Sequence, residues 1–220
     1  MTQDEIFSNE EGDRWYKRNR SHLELSDMEK DHVYRMLQIY HIAPKHVLEV
    51  GSSDGYRLAF LSEKYGSEVY GVDPSQEAIK EGSKKYPQVH FQKATAATMA
   101  YPREFFDLII LFFVLHWVDR RTLLQSIATI DKLLKPCGYI IIGDFQIPHF
   151  IKRAYHHLPE KKVFTYKMMY KSIFLSTGLY KEIASMSYDH DRNAMTGDSS
   201  LDTYASLSLL RKEDMNVEKI

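Results

Sequence analysis

The chain has 220 residues, 44% of them hydrophobic and 27% charged, the composition of a folded domain with room for a full core and not of a disordered or fibrous chain. Lys and Arg number 29 against 30 Asp and Glu, a formal net charge of −1 with no strongly basic stretch, so the chain lacks the electrostatic footprint of a nucleic-acid binder. The single cysteine, Cys137, excludes an internal disulfide; the polar start MTQDEIFSNEEGD reads as neither signal nor transit peptide, and no apolar run nears the ~20 residues that span a bilayer, so a cytoplasmic protein without membrane or nucleic-acid partners is expected.

Residues 1–24 are polar, with Trp15 and Tyr16 set among charges. Two compatible readings follow: a helix that packs its aromatics on the domain, or a lid over a ligand, with Arg18, Asn19 or Arg20 reaching an anionic group. Ser26 or Asp27 can cap a helix to about Tyr40, where Val33, Met36, Leu37 and Tyr40 recur at helical spacing. Pro44 ends the connection. Residues 47–55, VLEVGSSDG, then read as a buried strand carrying Glu49, a turn through Gly51 and Gly55, and a helix over 56–65 stopped by Gly66. Glycines there let the chain turn tightly and admit a ligand to the main chain, and the new helix's free N–H groups face it.

A second strand, 68–72, ends at Asp73, the position where nucleotide-binding sheets place an acid for ribose hydroxyls. Pro74 follows, and Ser75 caps a helix over 76–85. A short strand is expected at 89–92. The run FDLIILFF at 106–113 is nearly all apolar, as a central parallel strand buried on both faces requires. Residues 120–134 are amphipathic, Pro136 and Gly138 break that helix, and 139–142 form strand five before Gly143 and Asp144. Strands alternating with helices over 45–145 imply an α/β, doubly wound parallel sheet with right-handed crossovers. Residues 146–166 hold Pro148, Pro159 and a cluster of His and Tyr with little period, an inserted loop or lid. A helix is expected at 167–175, an antiparallel pair at the sheet edge from 180–188 and 203–210, and a polar turn over 189–201. The whole reads as a single domain: a helical arm (1–40), a core (45–145), an insert (146–178) and C-terminal strands (179–220).

Four pieces in order, VLEVGSSDG, YGVDPS, FDLIILFFVLHWVD and LLKPCGYIIIGDF, resemble class I S-adenosylmethionine (SAM) methyltransferases. The resemblance implies a seven-stranded, mainly parallel Rossmann-like sheet with an antiparallel edge strand, in the family order 3-2-1-4-5-7-6. It also implies SAM as cofactor and methyl transfer to an oxygen or nitrogen of a small molecule. The flanking pieces EGDRWYKRN, YHHLPEKKVFTYK and IFLSTGLYKEI resemble methyltransferases of bacterial surface-polysaccharide and sugar modification. They imply a nucleotide-activated sugar or phosphorylated precursor as acceptor. Three positions depart from the family. Ser53 replaces a glycine, which is tolerated at a negative φ. FQKATAATM lacks the acid that often meets adenine, leaving Ala94 or Thr95 for that contact. Cys137 replaces a frequent glycine.

The cofactor-binding set expected from the arm, the motifs and this resemblance is Tyr16, Arg20, Glu49, Gly51, Ser52, Gly55, Asp73, Pro74, Ala94, Thr95, Phe112 and Phe113. Ligands of such sheets lie outside the carboxyl ends of the strands, which brings in Trp117 and Asp144 for the acceptor, with Tyr155 from the insert. An acceptor hydroxyl needs a base, and imidazole with a pKa of ~6.5 suits it: His116, His156 and His157 are the catalytic candidates. Each has a plain structural alternative, as a packed or a solvated side chain. The histidines lack an HExxH or Cys/His frame, so no metal is expected. An NAD-dependent oxidoreductase would need G-x-G-x-x-G, which is absent, and a nucleic-acid methyltransferase an N/D-P-P-Y-type motif. A non-catalytic SAM-binding scaffold of the same fold stays open, as does a homodimer.

Overall fold

The apolar runs become five parallel strands, β1 (His46–Val50), β2 (Glu68–Asp73), β3 (Val89–Lys93), β4 (Phe106–Phe112) and β5 (Leu134–Phe145). The computed structural model describes residues 1–23, 28–192, 194–196, 200 and 202–215. After β5 come a separate hairpin, β6 (Ile151–Ala154) with β7 (Phe164–Lys167), and then β8 (Tyr180–Asp189), β9 (Ala194–Met195) and β10 (Tyr204–Lys212). The main sheet runs β3-β2-β1-β4-β5-β10-β8-β9. Seven of its strands stand in the family order; the eighth, β9, is a two-residue pairing with β8. The expected antiparallel pair at the sheet edge is β8 with β10, and β10 runs antiparallel to both β8 and β5, between which it lies. The chain reaches the far position first, as β8, and returns through β10.

Strand periodicity divides the core between two faces. Leu48, Ile109, Leu111 and Ile140 pack against Leu123, Ile127 and Ile130 of α6 (Leu123–Leu133). Val47, Leu108, Ile110 and Ile141 pack on the other side against Val33, Met36 and Leu37 of α3 (His32–Ile39) and Leu58 and Leu61 of α4 (Tyr56–Tyr65). Ahead of these lie α1 (Gln3–Ile6), a π-helical turn (Phe7–Glu11) and α2 (Gly12–Leu23), one helical run over the cavity described below. Helix α5 (Gln76–Lys85) follows β2, and α7 (Lys171–Leu175) precedes β8.

Several boundaries differ from expectation, each for a local reason. Asp31 caps α3, its side chain accepting from the Tyr34 N–H; Ser26 and Asp27 lie outside the described residues. Pro136 and Gly138, expected to separate the helix from strand five, lie instead in a bulge within β5, which already starts at Leu134. Phe106 pairs with Leu134 and Leu108 with Tyr139, so the intervening residues KPCG (135–138) leave the ladder, with Cys137 at φ +61°. The insert is ordered as the β6–β7 hairpin, which shortens the expected helix to α7 because residues 164–167 pair as a strand.

Helix α5 crosses the turn after β1 so closely that a Cβ on Gly82 would lie 2.4 Å from the Asp54 carbonyl oxygen and 2.7 Å from Phe91. Gly82→Ala gains about 1 kcal/mol of helix propensity. It also drives a methyl into backbone, and such overpacking costs about 1–3 kcal/mol. Net destabilisation is expected in urea unfolding; an unchanged or raised stability would show that α5 is free to move away.

Candidate active site

A cavity of about 340 Å³ opens at the carboxyl ends of β1, β2 and β4, where the strand order reverses. Its floor is the turn after β1. Gly51 sits at φ +74°, and a Cβ there would also meet Val114 at 3.0 Å, so both conformation and space demand glycine. Ser53 adopts φ +52°, in contrast to the negative φ expected of a non-glycine residue. The left-handed region costs such a residue about 1 kcal/mol, and the Ser53 N–H is held there by Asp73 Oδ2 at 2.8 Å. The turn also spends its other donors internally. The N–H groups of Gly51 and Ser52 both reach the Val72 carbonyl, and that of Gly55 the Ser52 carbonyl.

Asp73, at the end of β2, ties the two loops together. Oδ2 accepts from Ser53 and Oδ1 from the Ser75 N–H, each at 2.8 Å. Burial pushes its carboxyl up to about 6, against those two hydrogen bonds. Each oxygen keeps a lone pair. Glu49 also lines the cavity; Arg57 Nη1 donates to its Oε1, while Oε2 is buried without a partner. Burial pushes Glu49 up to about 7, opposed by Arg57. The hydroxyls of Ser52 and Ser53 are likewise buried and unpartnered.

The N-terminal run forms the opposite wall through Asp4, Phe7, Gly12 and Trp15. It is anchored at Asp13 Oδ1, which accepts the Ser75 hydroxyl (2.7 Å) and the Glu77 N–H (3.0 Å) at the start of α5, where the helix dipole favours an anion. Tyr16 and Arg20 point to Glu81 of α5 rather than into the cavity, and Arg18 pairs with Glu11 and the Tyr155 hydroxyl.

The open end past β4 is aromatic: Phe113, Trp117 and Tyr188 stand with His190 in the wall. The His190 ring lies 4.5 Å from that of Phe113, and its Nδ1 is 3.1 Å from Asp191 Oδ1. His116 is buried behind them, its Nδ1 3.0 Å from Asp144 Oδ1 and its ring 4.8 Å from Trp117. A carboxylate at Nδ1 favours the tautomer with the proton there and the lone pair on Nε2.

Of the expected residues, Glu49, Gly51, Ser52, Asp73, Pro74, Ala94, Thr95, Phe112, Phe113 and Trp117 meet around this one cavity. Gly55 lies just beyond it at φ +79°, turning the chain into α4, with Phe91 where a Cβ would go. His116 and Asp144 form a pair behind the wall. Tyr155 is buried against Glu11 and Arg18, and His156 and His157 are exposed on the β6–β7 connection, their rings tilted by 43° with centroids 3.9 Å apart. Arg57, Tyr188 and His190 were not foreseen. Arg57 stands two residues past the second glycine, a visible signal; His190 lies in a stretch that reads as a polar turn and carries none.

Raised carboxyls have a consequence for stability. With Asp73 and Glu49 binding protons more tightly folded than unfolded, the native state holds more protons between about pH 4 and 7, so stability falls as pH rises through that window. Asp119, held low by its bond with Arg121, acts oppositely at more acid pH. Urea unfolding should therefore give a ligand-free maximum near pH 4 and a loss of several kcal/mol by pH 7.5. Glu49→Gln and Asp73→Asn should each flatten the decline; a wild-type profile that rises over this range contradicts it.

The family model described as a methyltransferase domain matches residues 48–142. Phosphoethanolamine N-methyltransferase 1 of Zea mays is 34% identical over 104 residues, covering 45% of this chain and 20% of that protein. Trans-aconitate 2-methyltransferase of Acidovorax ebreus (strain TPSY) is 28% identical over 134 residues, covering 60% of this chain and 50% of that protein. The chain thus spans half or less of the length of these curated relatives. Among solved structures, Burkholderia thailandensis 1,6-didemethyltoxoflavin-N1-methyltransferase, with bound 1,6-didemethyltoxoflavin and S-adenosylhomocysteine, superimposes with a TM-score of 0.73 at 16% identity, over 95% of this chain and 88% of that one. N-methyltransferase NodS from Bradyrhizobium japonicum WM9, in complex with S-adenosylhomocysteine, gives 0.60 at 17% identity, over 90% and 98%. At such identities the likeness is one of fold. The chain has the fold of class I SAM-dependent methyltransferases, and its residues 48–142 match the methyltransferase-domain model.

Proposed function

We propose that this protein transfers a methyl group from SAM to an oxygen or nitrogen of a small molecule. The observation that carries the reading is the donor and acceptor inventory of the cavity. Its walls offer two buried carboxylates, Glu49 and Asp73, with lone pairs to spare, and two unpartnered serine hydroxyls. Its one guanidinium, Arg57, is already held by two carboxylates. Such a wall suits ribose hydroxyls and cationic centres. It does not suit a pyrophosphate, because the turn's N–H groups at Gly51, Ser52, Ser53 and Gly55 are consumed within the protein.

In this reading Asp73 accepts the ribose hydroxyls, Glu49 faces the ammonium, and the Ala94–Thr95 segment borders the base. Bound SAM supplies an activated methyl on a sulfonium, itself a good leaving group, so the protein's task is orientation. Phe7 and Trp15 cover the reacting centre and keep water out. A hydroxyl acceptor also gives up a proton. Of the histidines, His190 stands in the wall and is exposed enough to discharge a proton to solvent, while His116, held by Asp144, backs Phe113 and Trp117. An amine entering neutral needs neither. For the acceptor we keep a nucleotide-activated sugar or phosphorylated precursor of a surface polysaccharide. The aromatic faces of Phe113, Trp117 and Tyr188 suit a sugar or other ring, and any phosphate would remain outside this acid-lined wall.

Calorimetry should give micromolar binding of SAM and S-adenosylhomocysteine and none of NAD. Asp73→Ala should cost about 2–3 kcal/mol, some 30- to 150-fold, in SAM affinity. Tighter binding of NAD than SAM would sink the assignment. Labelled SAM screened against nucleotide-linked sugars and phosphorylated precursors identifies the acceptor. With it in hand, single turnover of His116→Ala, His156→Ala, His157→Ala and His190→Ala locates the base: its loss should slow methylation roughly 100- to 10,000-fold with SAM affinity intact. Near-native rates in all four mean that the acceptor enters as a neutral amine or an ionised oxygen.

A further inference from the structure

Beside the cavity lies a three-member ion network that no cofactor role explains by itself. Asp31, Glu49 and Arg57 are 4%, 2% and 4% exposed. Asp31 uses its two oxygens separately. Oδ1 caps α3, accepting the Tyr34 N–H at 3.0 Å, and Oδ2 accepts Arg57 Nε at 2.9 Å. Arg57 then reaches Glu49 through Nη1 alone, onto Oε1, while Nη2 meets only the Tyr56 hydroxyl at 3.4 Å. The guanidinium is packed over the Phe112 ring at 4.6 Å, which fixes its plane. Glu49 Oε2 remains buried, unpartnered, in a residue that lines the cavity.

An arginine beside a single carboxylate prefers a two-bond fork that occupies both oxygens. Here the fork is split between two acids. Two carboxylates against one guanidinium also leave one negative charge in excess, next to the cavity.

We propose that Asp31 is a positioning residue of the cofactor site: by engaging Arg57 Nε it restricts Arg57 to one bond with Glu49 and keeps Glu49 Oε2 open for a cationic N–H donor. On the SAM reading above, on which this rests, that donor is the ammonium shared by SAM and S-adenosylhomocysteine. Asp31 lies outside every motif of the glycine turn and touches no ligand; it acts through Arg57. The cap of α3 thereby couples the arm-side helix to the charge state of the floor.

Asp31→Asn isolates the effect. Asparagine caps a helix as well as aspartate does, so the Tyr34 bond survives, but its amide nitrogen offers Arg57 no acceptor. Arg57 is then free to fork onto Glu49 and close Oε2. Calorimetry with S-adenosylhomocysteine and with SAM should show about tenfold weaker binding in Asp31→Asn. Glu49→Gln alone should also weaken binding, and Asp31→Asn added to it should change nothing more, since its effect runs through Glu49. A merely structural role would weaken both backgrounds equally, and that result, or unchanged affinity in the single variant, overturns the proposal. Thermal melts confirm that the variants are folded. Should Asp31→Asn not fold, Asp31→Ser serves: serine caps a helix as aspartate does but its short neutral side chain gives up the ion pair with Arg57. It should weaken S-adenosylhomocysteine binding about tenfold, and unchanged affinity in the folded variant overturns the proposal. Failure of the wild type to bind either molecule would instead remove the cofactor reading, a separate outcome.

Discussion

The carboxylate of Asp73 is the contact on which the site depends. It takes one N–H from the turn after β1 and one from the start of α5, so a single side chain joins the two loops beyond the reach of the β1–β2 ladder. Its hold on Ser53 keeps a non-glycine residue in the left-handed region, and the cost of burying the charge appears as a carboxyl raised to about 6. A group that destabilises the empty fold and still has lone pairs directed at a cavity is arranged for a ligand. Ribose hydroxyls would recover by donation what burial takes away.

Around that floor the chain closes its own roof. Gln3, only 2% exposed, donates to the Trp117 and Phe164 carbonyls and accepts the Phe164 N–H, while its own N–H goes to Asp119. Farther along, the buried Glu11 and Tyr155 and the more exposed Arg18 bond one another between the arm and the β6–β7 connection. The first helices, the segment past β4 and the insert are thus joined in one hydrogen-bonded assembly. Loop closure that excludes water is a common step in transfer chemistry, and here its parts are already joined.

The rim past β4 has a different character from the floor. Aromatic rings replace carboxylates, and two histidines each stand beside an aspartate: His116 with Asp144 deep in the wall, His190 with Asp191 at its rim. The first pair is buried, and the outer histidine is exposed.

Much of this was legible in the residues alone. Apolar runs, glycine turns and strand-end acids act over a few neighbours, so β1 to β5, the helices between them, and Glu49, Gly51 and Asp73 follow from local pattern. The resemblance carried by four ordered pieces supplied the strand order. What the sequence could not decide is whatever depends on contacts between distant segments. Trp15 or Tyr16 could equally face the cavity until the docking of α2 on α5 turned Tyr16 to Glu81. The histidines of the insert look reactive in the sequence, yet the hairpin register leaves His156 and His157 exposed outside the wall, while β8 and its turn carry His190 into it. Nor does any local rule join Asp31 to Arg57 and Glu49, 26 and 18 residues away. That network exists because α3 and α4 pack on the same face of the sheet, where burial makes any unpaired charge too costly to leave alone.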